Sequence, residues 1–313
     1  MASRKKKIFI AGQNGFLGRV LAHKLVKKGY HLLPVNNKTD FTKLAKAQKA
    51  TEGADVVVNL AGIITSRADQ FKRPAEIFYT NSLIQLQLLE AAAKNSVKHF
   101  ISISSSAAYP SSAPSPLKEA WLFRNLHPDI AHGASYYSLS KWLVIPATEA
   151  YAREYNLTAS IAVFPNLYGP GDKFNHAIPP LVPNLIKRIE AAKKLSSTSL
   201  DVGGGPGNQI DLLYVDDAAD FIIQLIEKPL PGFSCINAGY GQSVSVEKIC
   251  KLIRQNVVFK GTIAWADQKK SAPRYLSNHR SRTLYGWQPR TSLDEGVSRT
   301  VRWYLNHGQK KKR

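Results

Sequence analysis

Thiols are scarce in this chain: among 313 residues only Cys235 and Cys250 carry them. Neither stands at metal-ligand spacing, so no cysteine-held metal is expected. Both read as small core residues in a reducing, cytoplasmic setting. Long apolar runs are missing too. No stretch reaches the roughly 18 residues of a membrane span, so no membrane partner is expected. The opening MASRKKKIFIAGQNG has a basic cluster, but it runs straight into a strand pattern without an apolar segment or cleavage site. It is not read as a secretory leader. Internal repeats and low-complexity stretches are absent. Acids are few, 22 Asp and Glu against 43 Lys and Arg, for a formal net charge of +21.

Such an excess invites nucleic acid, but its distribution argues otherwise. Part of it is terminal, SRKKK at 3–7 and QKKKR at 309–313, with basic tails at 1–6 and 308–313. The rest is scattered along helical stretches such as HKLVKKG and IKRIEAAKK. No zinc-finger or RNP-type motif accompanies it. A scattered excess is a solvated basic surface that attracts polyanionic substrates such as nucleotide diphosphates. Nucleic acid is therefore not an expected partner.

Strand and helix patterns alternate through the first half. KKIFIAG (6–12) is a buried strand by pattern. GFLGRVLAHKLVKKG (15–29) carries a helical stripe of Phe16, Leu17, Val20, Leu21 and Leu25. Strands are predicted at 31–36, 54–62 and 98–106, with a long amphipathic helix at 76–97. YSLSKWLVIPATEAYAREYN reads as a further helix with a kink or break at Pro146. LTASIAVFPNLYG reads as the next strand. This rhythm predicts an α/β fold: a Rossmann-type doubly wound parallel sheet with a smaller C-terminal α/β substrate lobe. The expected division is 1–165 plus 210–239 for the dinucleotide-binding part and 166–209 plus 240–309 for the lobe.

GQNGFLG (12–18) is a G-x-x-G-x-x-G loop between the first predicted strand and helix. Gly12 permits the tight turn, Gly15 lets backbone approach a pyrophosphate, and Gly18 lets helix pack on strand. The helix N-terminus adds N–H donors for the anion. Candidate cofactor contacts are Gly12, Asn14, Gly15, Phe16, Leu17, Gly18, Leu60, Ala61, Gly62, Lys141 and Pro165. Asn36, Asn37 and Lys38 stand where NAD sites often carry an acid. Asn36 and Lys38 therefore favour NADP(H), with NAD(H) as the alternative, and Arg19 is a second candidate cation.

YYSLSKW (136–142) sets Tyr137 four residues before Lys141. On a helix both lie on one face, and an ammonium so close is expected to depress the phenol from its usual value of about 10.

SISSSAAYP (102–110), YYSLSK, FPNLYGPGD (164–172) and LLYVDDAADFI (212–222) follow in order. Together with the glycine loop they resemble the extended short-chain dehydrogenase/reductases, the NAD-dependent epimerase/dehydratase superfamily. Within it the chain is most similar to the GDP-L-fucose synthases, as NLYGPGDKF, APRYL and LYGWQPRTSLDEGVSRTVRWYLNH suggest. The resemblance covers nearly the whole chain. It implies Ser105 as the serine that hydrogen-bonds the substrate carbonyl, Tyr137 as proton donor, and Lys141 on the nicotinamide ribose. It implies substrate contacts from Ser105, Ala107, Tyr137, Asn166, Lys187, Arg188 and Arg274. It also implies a homodimer through a four-helix bundle made from 76–97 and 136–155.

Departures from the family pattern carry information. The cysteine used in epimerisation is replaced by Ala107, and the histidine by Pro180. His176, four residues earlier, substitutes only if the loop is rearranged. A substrate-contacting arginine is replaced by Ile210. Lys187 and Arg188 are either diphosphate ligands or solvated helix charges. Asn166 either faces the nicotinamide or sugar, or caps a strand end. The leading expectation is an NADP(H)-dependent reductase of a nucleotide-linked 4-keto-6-deoxy sugar that lacks the C3/C5 epimerase residues. The alternatives are an NAD-dependent C4 epimerase of a nucleotide sugar, and a dinucleotide-binding scaffold without turnover.

Overall fold

The computed structural model describes residues 5–36, 38–64, 67–124, 135–176, 179–267 and 270–308. The β-branched run after the lysines forms β1 (Lys7–Ala11), with its last four residues buried. It leads into α1 (Phe16–Lys27), whose Leu17, Leu21 and Leu25 stripe faces the sheet. β2 (His31–Leu32) is shorter than its apolar run predicts. Pro34, two residues on, has no N–H to give a ladder. Then come α2 (Leu44–Thr51), β3 (Val56–Asn59), α3 (Arg67–Lys72), α4 (Pro74–Lys94) and β4 (His99–Ser105). They are followed by α5 (Ser135–Glu154) and β5 (Thr158–Phe164).

No break occurs at Pro146: α5 is helical on both sides of it. Pro146 is exposed, so the carbonyl that loses its N–H partner lies on the solvent side of the helix.

At Pro165 the predicted long strand divides. Its second half, β6 (Asn166–Tyr168), leaves the main sheet. The rest of the chain forms α6 (Leu181–Lys194), β7 (Ser199–Asp201), β8 (Gln209–Ile210), β9 (Leu212–Tyr214), α7 (Val215–Glu227) and β10 (Phe233–Asn237). β11 (Val244–Ser245), α8 (Val246–Val257), β12 (Thr262–Ala264), α9 (His279–Tyr285) and α10 (Leu293–Trp303) complete it.

The main sheet has the order β10-β5-β4-β3-β1-β2, with every pairing parallel. Alternate strand residues feed opposite faces. Ile8, Ile10, Val56 and Val58 pack on α1 and α7, whereas Phe9, Val57 and Phe100 pack on α2 and α4. This is the doubly wound layering expected from sequence. The chain steps from β1 to β2 in one direction and from β1 to β3 in the other. The crevice therefore opens between β1 and β3, at the strands' C-terminal edge.

A second core joins Val182, Leu185 and Ile186 of α6 to Ile249 and Ile253 of α8 and Val297 and Val301 of α10. Three two-stranded pairings, β6 with β9, β8 with β11 and β7 with β12, surround it. Cys235 and Cys250 are free and buried, in line with the core role expected of them. Among the described residues no helix is long and apolar enough to cross a membrane, and no cluster of metal-ligating side chains occurs.

Asp211 ties the segment before α9 to the sheet edge. Its Oδ2 accepts the Leu276 N–H at 2.8 Å, and Leu276 bridges to Leu117. Oδ1 is buried and finds no hydrogen-bond partner among the described residues. Burial pushes the carboxyl up to about 7, against an ordinary value of 3.8. Between these values the folded chain holds a proton that the unfolded chain has released. The stability this group contributes is therefore greatest in acid and is lost as pH rises from about 4 to 7. Asp211→Asn removes the titration. The melting temperature of the variant relative to the parent should rise from pH 4 to 7 and level off above. A difference independent of pH contradicts the assignment.

Candidate active site

The glycine loop lies at the crevice because β1 stops at Ala11 and α1 starts at Phe16. Gly12 has φ +84°, and a Cβ there would come within 2.9 Å of the Leu60 carbonyl carbon. The loop thus touches the chain leaving β3, and the Leu60 N–H donates to Ala11 O at 2.9 Å. At Gly18 an added Cβ would overlap the Gly12 carbonyl oxygen. α1 begins with Gly15 as N-cap, with no capping side chain and no acid in its first turn. Its first N–H groups are therefore left for an anion.

A cleft of about 1060 Å³ runs from this loop across the C-terminal edge of the sheet. It is lined by Gly12, Gly15, Phe16, Leu17, Gly18, Leu60, Ala61, Gly62, Ser105, Ala107, Tyr137, Lys141, Pro165, Asn166 and Arg274. Most candidate residues from widely separated segments thus share one cavity. Asn14 lines an adjoining cavity of about 630 Å³.

Ser105 ends β4 and caps a 3-10 turn, its Oγ accepting the Ala107 N–H at 3.2 Å. Accepting there leaves its O–H to donate. α5 is held against the end of β4 by Ser104 Oγ, which donates to Lys141 O at 2.8 Å. Ser140 Oγ donates to Tyr137 O at 2.7 Å, and Lys141 Nζ donates to Ile103 O at 3.4 Å.

Titration differs from the expectation. Burial pushes Tyr137 up to about 12 rather than down, and brings Lys141 down to about 8. Loss of solvent is the cause in both, since it disfavours the charged form of each group. At neutral pH Tyr137 keeps its proton and Lys141 its charge, a pair suited to donation.

Other candidates lie elsewhere or are engaged. Asn36 and Lys38 are exposed beyond β2, outside the cleft, with Lys38 N donating to Asn36 Oδ1 at 2.9 Å. Asn37 lies outside the described residues. The next acid, Asp40, accepts from the Thr42 N–H and hydroxyl. Lys187 and Arg188 do not line the cleft. Lys187 donates to Phe174 O at 2.9 Å, and Arg188 to the carbonyls of Val202 and Asp201. In this structure their charges fasten loops of the second core. Arg274 lines the cleft and also donates to the carbonyls of Pro110 (2.8 Å) and Ala113 (3.2 Å). Asn166 lines the cleft, and its Nδ2 donates to Asp211 O at 3.1 Å at the start of β6.

Ala107, Pro180, Ile210 and His176 all line the same cleft. His176 thus lines the cleft together with Pro180, the residue at the family's histidine position by sequence resemblance. Sequence reasoning missed the polar hub behind the site. Gln85 Oε1 accepts from Asn59 Nδ2 and Ser102 Oγ, both at 2.7 Å, and Gln85 Nε2 donates to Thr148 at 3.2 Å. One turn earlier, Asn81 clamps Ile63 through its N–H (2.6 Å) and carbonyl (3.1 Å). The signal was two carboxamides four residues apart on the buried face of α4.

A cradle that a Cβ would fill, an open helix N-terminus and a cleft this size fit a dinucleotide. Comparison with known proteins agrees. GDP-L-fucose synthase 1 of Arabidopsis thaliana is 29% identical over 313 residues, 98% of this chain and 95% of that protein. GDP-L-fucose synthase of Escherichia coli (strain K12) is 26% identical over 317 residues, 97% of this chain and 98% of that one. The GDP-mannoheptose C4 reductase of Campylobacter jejuni, solved with NADP bound, shares the fold with a TM-score of 0.85 at 24% identity, over 96% of this chain and 98% of that one. The sequence profile of the NAD dependent epimerase/dehydratase family matches residues 8–239, from β1 to just beyond β10. Glycine loop, crevice and Tyr–Lys helix all fall inside that span, and the chain belongs to the NAD dependent epimerase/dehydratase family.

Proposed function

We propose that the protein is an NADP(H)-dependent reductase of a nucleotide-linked 4-keto-6-deoxy sugar, and that it reduces without epimerising. The observation that carries this is the lining of one cleft. Ser105, Tyr137 and Lys141 stand in it beside the glycine loop, as do Ala107 and Pro180, which the sequence resemblance sets against the family's epimerase cysteine and histidine. The relatives' names favour guanosine as the nucleotide.

Gly12, Gly15 and the α1 N-terminus would hold the diphosphate bridge, and Lys141 the nicotinamide ribose. Asn36 and Lys38, with Asp40 engaged by Thr42, support a 2′-phosphate. The C. jejuni reductase of this fold was solved with NADP, which points the same way. The bound dinucleotide supplies the hydride. Ser105 donates its O–H to the carbonyl oxygen as charge gathers there. Tyr137, whose proton is held at neutral pH, hands that proton to the same oxygen. The Lys141 ammonium keeps the local potential positive as negative charge develops. Alanine and proline carry no group that exchanges a proton with carbon, so C3 and C5 keep their configuration.

The lobe from 166–209 and 240–309, with its own core, is assigned to the sugar nucleotide, and 1–165 plus 210–239 to the dinucleotide. Tyr79 and Leu86 of α4 and Tyr136 of α5 leave apolar surface exposed on the two helices proposed for a dimer's four-helix bundle.

Tyr137→Phe should lower kcat by about 100-fold or more while NADPH affinity is kept. A variant turning over at the parent rate removes the proton-donor role. Turnover run in D2O should yield a product with no deuterium on C3 or C5. Deuterium at either carbon contradicts the loss of epimerase chemistry and points to His176. Light scattering should return twice the 34.6 kDa chain mass, and Leu86→Glu the single mass. A parent at single mass rules the bundle out.

A further inference from the structure

The segment from Gly169 to His176 follows β6 and hangs over the glycine loop. It is tied down at two points on opposite sides of the crevice. On the α1 side, Arg19 Nη2 donates to Gly171 O at 2.8 Å, and its Nη1 reaches Asn14 O at 3.5 Å. On the β3 side, Lys173 Nζ donates to Ile64 O at 2.9 Å. Lys173 is half-buried, and it lines both the main cleft and the adjoining cavity, as Gly15 and Phe16 do. It is thus the ammonium that shares both cavities with the start of α1, where the diphosphate bridge of a dinucleotide belongs.

Other cations near the cleft are differently placed. Lys141 sits under Ile103 O, and Arg274 reaches the 110–113 carbonyls at the far end. Arg19 faces carbonyl oxygens, and residue 14 in the glycine loop is an uncharged asparagine. A diphosphate bound on backbone N–H groups alone keeps its negative charge unneutralised. Among the described residues the Lys173 ammonium donates to one exposed carbonyl, and a diphosphate oxygen there would add the attraction of a full negative charge that a carbonyl lacks. Burial lowers Lys173, and the neighbouring Asp172 carboxylate acts against that. Asp172 itself is buried, accepting the Lys173 N–H at 2.6 Å on Oδ1.

We propose that Lys173 is a cofactor-binding residue on the wall opposite the glycine loop, whose ammonium leaves the Ile64 carbonyl for the diphosphate bridge and fastens the 169–176 segment over it. The proposal rests on the dinucleotide reading of the cleft. It adds a ligand that the glycine motif does not contain.

The test is calorimetric titration of the full chain and of Lys173→Met and Lys173→Arg with three probes: NADPH, ADP-ribose and 2′-AMP. NADPH and ADP-ribose carry the diphosphate bridge and 2′-AMP does not. Lys173→Met should bind both bridged ligands about tenfold or more weakly, with 2′-AMP affinity and melting temperature unchanged. Lys173→Arg should recover most of the loss. Unchanged NADPH affinity in Lys173→Met overturns the proposal, and so does equal weakening of all three probes. A parent that binds no NADPH overturns the dinucleotide reading itself, which is a separate outcome.

Discussion

Everything in the proposed chemistry depends on how the start of α5 is docked against the end of β4. The joint is small: Ser104 Oγ on Lys141 O at 2.8 Å, with Lys141 Nζ turned to Ile103 O at 3.4 Å. It brings Tyr137 and Lys141 to the place where β4 ends in Ser105. A parallel sheet gathers its strand ends on one edge, so the same edge also presents the glycine loop after β1. The proposed proton donor and carbonyl anchor therefore line the same cleft as the loop proposed to hold the dinucleotide.

The polar hub under the site serves that docking. Gln85 takes donors from β3 and β4 and gives one to Thr148, seven residues beyond Lys141 on α5. Each of its groups is buried and partnered, the condition under which an internal polar network specifies one arrangement and not several. Arg274 acts similarly at the other end, gathering the carbonyls of the loop after β4 and joining the second core to the sheet.

Features set by local spacing were legible in the sequence. The glycine loop, the Tyr137–Lys141 pair and the alternating strands depend on near neighbours, and each stands where the pattern puts it. Features set by distant partners were not. Tyr137 is pushed up because the cleft walls exclude solvent, which no four-residue spacing reveals. Lys187 and Arg188 read from sequence only as basic helix residues, and the fold is what brings the carbonyls of Phe174, Asp201 and Val202 alongside them. Pro146 signals a break, yet its exposed position lets α5 continue. His176 reaches the cleft because the 169–176 segment is held over it by Arg19 and Lys173, contacts spanning more than a hundred residues.

The basic excess of +21 now has a local meaning beside its general one. The proposed dinucleotide and sugar nucleotide are both polyanions, and a positive field speeds their encounter. Whether the cleft performs net reduction is read most directly from NADPH stoichiometry. With a GDP-linked 4-keto-6-deoxy sugar in limiting amount, absorbance at the reduced nicotinamide band should fall by one equivalent per sugar. Conversion of a nucleotide sugar with no net NADPH consumed contradicts the account.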